Sequence, residues 1–137
     1  VHPKSKMKMK ARLKLLTSRS NGWGYTKRKQ KLKEYIRGWI GYYHLAEMQH
    51  LLVKIDEWLR RRIRMCIWKD WKKVKTKVTN LIKCGINKSK AYEWGNTRKG
   101  YWRIADSFIL HRTITKEKLR KAGYVTLMGE YLEWHPK

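Results

Sequence analysis

Apolar residues recur along this chain at three- and four-residue intervals, and the positions between them are filled largely by Lys and Arg. The pattern is densest from Leu32 to Lys77. Leu32, Tyr35, Ile36, Trp39, Tyr43 and Ala46 form one stripe, which predicts a helix over residues 27–46 with Thr26 as its N-cap. Leu52, Ile55, Leu59, Ile63, Cys66 and Ile67 form a second stripe, flanked by Leu51, Trp58, Met65 and Trp68, and predict the longest helix, from Met48 to Trp71. Val74 to Lys83 reads as a shorter helix with Gly85 at its C′ position. Upstream, Met7, Ala11 and Leu15 recur at four-residue intervals with Leu16 alongside, which predicts a helix within residues 4–19, regular from about Met9. The Lys-x-Lys alternation through Lys10 also fits a short edge strand. Turn chemistry at Ser20-Asn21-Gly22 ends this element.

Beyond Gly85 the elements shorten. Asn87 caps a helix through Trp94, residues 95–100 form a basic turn, and Tyr101-Trp102-Arg103 opens another helical turn. Thr115 caps a short helix ending at Gly123, and Val125 to Trp134 reads as the last helix. The expected fold is all-α: a three- to four-helix bundle over residues 1–85, followed by a smaller helical segment over residues 86–137.

Charge changes the picture most. The 137 residues carry 35 Lys plus Arg against 10 Asp plus Glu, a formal net charge of +25. Such a charge opposes compaction, and a polyanion relieves it, so nucleic acid is the leading partner. Eight Trp and eight Tyr argue against a disordered basic tail. The charge is uneven: residues 1–37 hold thirteen basic residues and one acidic, residues 58–77 nine and one, and residues 38–57 one basic against three acidic. Antiparallel packing of the two long helices would bring the basic blocks together at one end. Arg60, Arg61, Arg62 and Arg64 cannot all point one way, so the cationic surface should wrap the third helix, and replacing Arg60, Arg61 and Arg64 together should leave helicity near normal. Gly38 and Gly41 each cost about 1 kcal/mol in a helix interior, which close approach of another helix or of a nucleic-acid backbone would offset.

Other chemistry is thin. His2, His44, His50, His111 and His135 show no metal-ligand spacing with Cys, Asp or Glu, so no metal site and no cofactor is expected on this chain. Asp56 and Glu57 precede the Arg run and read as its ion-pair partners. No Gly-rich phosphate loop is present. Two Cys, Cys66 and Cys84, fit a reducing compartment rather than a disulfide scaffold. No apolar run is long enough to span a membrane, and no signal-peptide core follows the basic N-terminus. An anionic membrane surface stays an alternative partner, weakened because the third helix has neighbours with matching stripes. A chain opening at Val1 is expected to be a piece of a longer protein.

Leu16-Thr-Ser-Arg-Ser-Asn-Gly-Trp-Gly24, Tyr35-Ile-Arg-Gly-Trp-Ile-Gly-Tyr-Tyr43, Asp56-Glu-Trp-Leu-Arg-Arg-Arg-Ile-Arg64 and Trp68-Lys-Asp-Trp-Lys-Lys-Val-Lys-Thr76 together resemble the maturase-specific region, also called domain X or the thumb, of bacterial group II intron-encoded proteins. Trp94-Gly-Asn-Thr-Arg-Lys-Gly-Tyr-Trp-Arg103 resembles the segment that follows it. The resemblance implies a parent reverse transcriptase and splicing maturase in the bacterial cytoplasm. Its thumb lies against intron RNA and template-primer duplex, and a DNA-binding region begins past about Gly85. The fingers and palm, with the Tyr-x-Asp-Asp motif that binds Mg2+, are not in this sequence, so no active site is expected here. Mg2+ belongs to that palm and to the intron RNA, which carries out the splicing chemistry.

By position, the resemblance makes Arg19, Lys27, Arg28, Arg37, Arg60, Arg61, Arg62, Arg64, Lys69, Lys72, Lys73 and Lys75 the RNA-binding candidates. Trp23, Tyr25, Arg98, Lys99, Tyr101, Trp102 and Arg103 are the candidates for wider nucleic-acid contact, the aromatics by stacking on unpaired bases. Trp39, Trp58 and Trp68 are expected to be at least partly buried. The expected partners are group II intron RNA, target DNA or an RNA–DNA duplex, and the fingers and palm of the parent. A generic basic helical module from another mobile element is the alternative.

Overall fold

A computed structural model describes residues 2–135. The ends of the two expected segments, at Val1 and at Pro136-Lys137, lie outside it. The described residues form nine α-helices and no strand, in keeping with the all-α expectation. Helix α1 spans Pro3–Leu16, α2 Tyr25–Tyr43, α3 Gln49–Asp70 and α4 Val74–Lys83. The Lys-rich start is helical rather than frayed or strand-like, because Pro3 occupies the first turn and His2 Nδ1 accepts the Lys4 N–H at 3.1 Å. Helix α2 starts two residues earlier than Thr26 would cap, with Gly24 as N-cap, and ends at Tyr43 rather than at residue 46. Gly85, at φ 93°, closes α4 as expected: its N–H donates to Ile82 O, and the Ile86 N–H reaches back to Leu81 O.

Helices α1, α2 and α3 form an up-down-up bundle. At one end Arg28, near the start of α2, pairs with Asp70 at the end of α3, so these two helices are antiparallel. At the other end Tyr43 Oη donates to Ser5 Oγ at 3.0 Å, joining the end of α2 to the start of α1. The core takes Leu32, Ile36, Trp39 and Ile40 from α2, and Leu52, Ile55, Leu59, Ile63 and Trp68 from α3. The face of α1 differs from expectation. Met9, Leu13 and Leu16 are buried, whereas Met7 and Leu15 are 70% and 63% exposed and Ala11 is exposed too. The position of α2 and α3 decides this: α1 packs its Met9–Leu13–Leu16 stripe on them and leaves Met7–Ala11–Leu15 outward.

The later helices are short: α5 Lys88–Gly95, α6 Tyr101–Ala105, α7 Phe108–Thr113, α8 Lys116–Lys121 and α9 Leu127–Trp134. Side-chain caps at Asn87, Ser107, Thr115 and Thr126 hold their first turns. Helix α7 is not legible as an element in the sequence, and Ser107 is its only local signature. Helices α4 and α5 touch so closely that a Cβ on Gly95 would sit 2.6 Å from Val78 Cγ2. Helix α9 lies against both α2 and α3 and completes the bundle as a fourth helix. Its first turn is held by Asp56, which is buried. Asp56 Oδ1 and Oδ2 accept the Leu127 and Met128 N–H groups at 2.8 and 2.9 Å. Asp56 is therefore a helix cap rather than an ion-pair partner of the Arg run. One apolar core accordingly runs from Met9 to Tyr131.

Candidate nucleic-acid interface

The Arg run on α3 is distributed around the helix, as its spacing requires, and much of it holds the fold. Arg64 is buried and donates from Nε to the Ile114 carbonyl at 2.8 Å, joining α3 to the end of α7. Burial lowers its pKa. Arg28 is buried as well. Its Nη1 and Nη2 donate to the Asp70 carboxylate at 3.1 and 3.3 Å, and Nη2 also reaches Trp23 O. Burial disfavours its charge, but the Asp70 hydrogen bond, together with Cys66 and Tyr124, leaves its pKa above the ordinary value. Neither guanidinium faces solvent, so neither can meet a phosphate, and replacing Arg64 would disturb the fold rather than a free surface. Arg60 shares a separate depression with Asp56, Glu130 and Glu133. Arg37 pairs with Glu130 at 3.1 Å.

Other candidates stay outward. The end of the bundle built from residues 17–24, the start of α2 and the end of α3 carries Arg19, Lys69 and Lys72 around a depression of about 440 Å³, with Lys27 exposed beside it over Trp23. Asp70 is its one acid, and Arg28 occupies it. Lys69 donates to Arg19 O, and Arg19 sits over the Tyr101 ring at 5.1 Å. Lys73 and Lys75 are exposed at the start of α4. The start of α2 and the end of α3 therefore bring parts of the two basic blocks together, because these helices are antiparallel, whereas the lysines at the start of α1 lie toward the other end. Trp23 is half-buried under Lys27, and Tyr25 is half-exposed with Lys29 Nζ 4.2 Å from its ring centroid. Arg98, Lys99 and Arg103 are exposed, Lys99 lying over Trp94. Tyr101 is half-buried between Arg19 and Lys77.

Trp102 belongs to a second feature. Arg61 stacks on its indole at 3.8 Å and donates from Nε and Nη2 to its backbone carbonyl at 3.0 and 2.7 Å. Next to it, Lys10 and Lys14 of α1, Trp58 and Arg62 of α3 and Trp102 of α6 line an open cleft of about 480 Å³ with Ala11. Arg62 is fixed there, donating to Thr17 Oγ1, Lys14 O and Thr17 O at 3.1, 3.1 and 2.9 Å. Sequence reasoning misses Lys10, Lys14 and Trp58 as site residues. Trp58, expected to be at least partly buried, is half-buried as expected and also lines this cleft. The one available signal is the alternation of α1, which puts Lys10 and Lys14 on one side of that helix.

Gly41 packs near Trp134 of α9, with a Cβ there 3.8 Å from the indole, whereas a Cβ on Gly38 would meet nothing within 4 Å. Among the described residues no group of His, Cys, Asp or Glu could hold a metal ion. No helix among the described residues is long and apolar enough to cross a membrane.

These features define a strongly basic helical bundle with cation-flanked aromatics on its surface. The chain belongs to the group II intron, maturase-specific domain family, whose model matches residues 6–85, more than half of its length. Membership indicates a group II intron maturase-related function. No curated protein matches the chain.

Proposed function

We propose that this chain binds the structured RNA of a group II intron and holds it in a splicing-competent fold, as the C-terminal part of a reverse transcriptase/maturase. The observation that carries this reading is the basic end of the bundle in a domain of this family. Arg19, Lys69 and Lys72 line a depression whose one carboxylate, Asp70, is already held by Arg28, and Lys27 and Lys73 are exposed on the adjoining starts of α2 and α4. Such groups gain by displacing condensed counterions from phosphates, and a folded RNA is recognised by the shape in which it presents them. Residues 86–135, with Arg98, Lys99 and Arg103 outward, are proposed to extend the same surface toward target DNA or template-primer duplex. The fingers and palm of the parent protein supply polymerisation and its Mg2+.

The test is binding across a salt series to a folded group II intron RNA and to a scrambled RNA of equal length. Preference for the folded intron that persists at high salt is expected. Equal binding that falls away together would reduce this chain to an electrostatic platform. Replacing Lys72, Lys73 and Lys75 with Gln should lower the slope of log K against log salt by about 2–3, at roughly 0.7–0.9 for each phosphate no longer neutralised.

A further inference from the structure

We propose that the cleft between α1, α3 and α6 is a stacking site for an unpaired nucleobase of the bound RNA, with Lys10 and Lys14 holding the neighbouring phosphate. The proposal rests on the RNA-binding reading and specifies what one part of the surface recognises. Two indoles, Trp58 and Trp102, line the same opening, and α1 adds the small Ala11 to that lining. No acid lines it. Arg62 lies 6.0 Å from the Trp58 centroid and 5.8 Å from that of Trp102, and its three hydrogen bonds to residues 14–17 keep it there. Trp102 is held from behind by Arg61 yet remains 38% exposed. Lys10 stands 4.9 Å over Trp58.

The cleft is thus built before any ligand arrives: indoles on its lining, the anchored charge of Arg62 beside them, and Lys10 and Lys14 at its α1 side. An aliphatic ligand would gain nothing from the cations, and a free anion would gain nothing from the indoles. A base carrying its own phosphate uses both. Bases within a duplex already stack on each other, so the cleft selects those that do not.

The test uses the full chain with three RNAs, measured by fluorescence anisotropy: a short single strand, a blunt duplex of the same length, and the single strand with one abasic position at its centre. Trp102→Leu should weaken binding of the single strand about five- to a hundredfold, the range for loss of one base–aromatic stack. It should leave the duplex nearly unchanged, and Trp102→Phe should restore most of the loss. The abasic strand should bind the native chain more weakly than the intact strand, with less further loss in Trp102→Leu. Trp58→Leu, checked for folding by circular dichroism, should repeat the pattern. Equal weakening of single strand and duplex, or no weakening of either, overturns the proposal. Displacement of the single strand by an acidic aromatic peptide at lower concentration than by unlabelled RNA overturns it in favour of a protein ligand. If the native chain still prefers folded intron RNA over the scrambled control, such a failure belongs to the cleft alone. If that preference is absent, the intron-binding reading fails separately.

Discussion

Asp56 joins the third helix to a helix that begins 71 residues later, and replacing it with Ala tests how much of the bundle depends on that junction. The substitution leaves the Leu127 and Met128 N–H groups without the oxygens they reach at 2.8 and 2.9 Å. A buried donor left unpaired costs about 1–3 kcal/mol. Leu127 is fully buried and incurs that cost, whereas Met128 is half-buried and water can serve it in part. Loss of a negative charge at the N-terminus of α9 adds about 0.3–1 kcal/mol. Release of the buried carboxylate from its desolvation works the other way. The expected destabilisation is about 2–4 kcal/mol, a large share of the roughly 5–15 kcal/mol that holds a typical domain together. Urea unfolding followed by circular dichroism should show a lower midpoint, and amide exchange should show Leu127 and Met128 losing protection. Asp56→Asn, which keeps one acceptor, should lose less. A loss below about 0.5 kcal/mol with unchanged exchange at those two amides would refute the account of Asp56 as the cap of α9.

Burial pushes the Asp56 carboxyl above its ordinary value of 3.8, against the pull of the Met128 and Leu127 N–H groups and of Arg60. A raised folded-state pKa means that ionisation disfavours folding, so this contribution is intact below pH 3.8 and is lost as pH rises through the folded value. The stability of the native chain relative to Asp56→Asn should therefore fall across mildly acidic pH, and a flat difference would remove the effect. Gly95→Ala should destabilise by about 1–3 kcal/mol through its clash with Val78, and Val78→Ala should recover part of that loss in the double variant, read by thermal unfolding. Gly38→Ala should stabilise by about 1 kcal/mol, because its Cβ enters open space. Arg64→Gln should lower the unfolding midpoint because it strips the Ile114 carbonyl of its partner, whereas Arg103→Gln should leave the midpoint within error.

The long helices are legible in the sequence because two stripes of apolar residues persist through several turns each. The face of α1 is not, since Met7–Ala11–Leu15 and Met9–Leu13–Leu16 both satisfy helical spacing and only the position of α2 and α3 chooses between them. Asp56 misleads for a related reason. Local reading sees Arg60 one turn away, and the groups that actually bind the carboxylate lie in a distant segment. Arg28 and Arg64 carry no local mark that separates them from Arg61 or Lys72, because an Arg becomes buried only where tertiary structure supplies an acceptor, here Asp70 and Ile114 O. The Trp58–Trp102 cleft joins residues from three helices, so composition announces its ingredients without their placement.

Completion of the bundle by α9 sets an order on synthesis. A ribosome adding about 5–20 residues per second needs several seconds to travel from Asp56 to Leu127. During that interval the first three helices can pair, since their contacts are close in sequence. The surface destined for Leu127 and Tyr131 stays uncovered, and the Asp56 carboxylate keeps its hydration. The nascent chain is therefore an intensely cationic, partly open intermediate, with an apolar seam that closes only when α9 arrives.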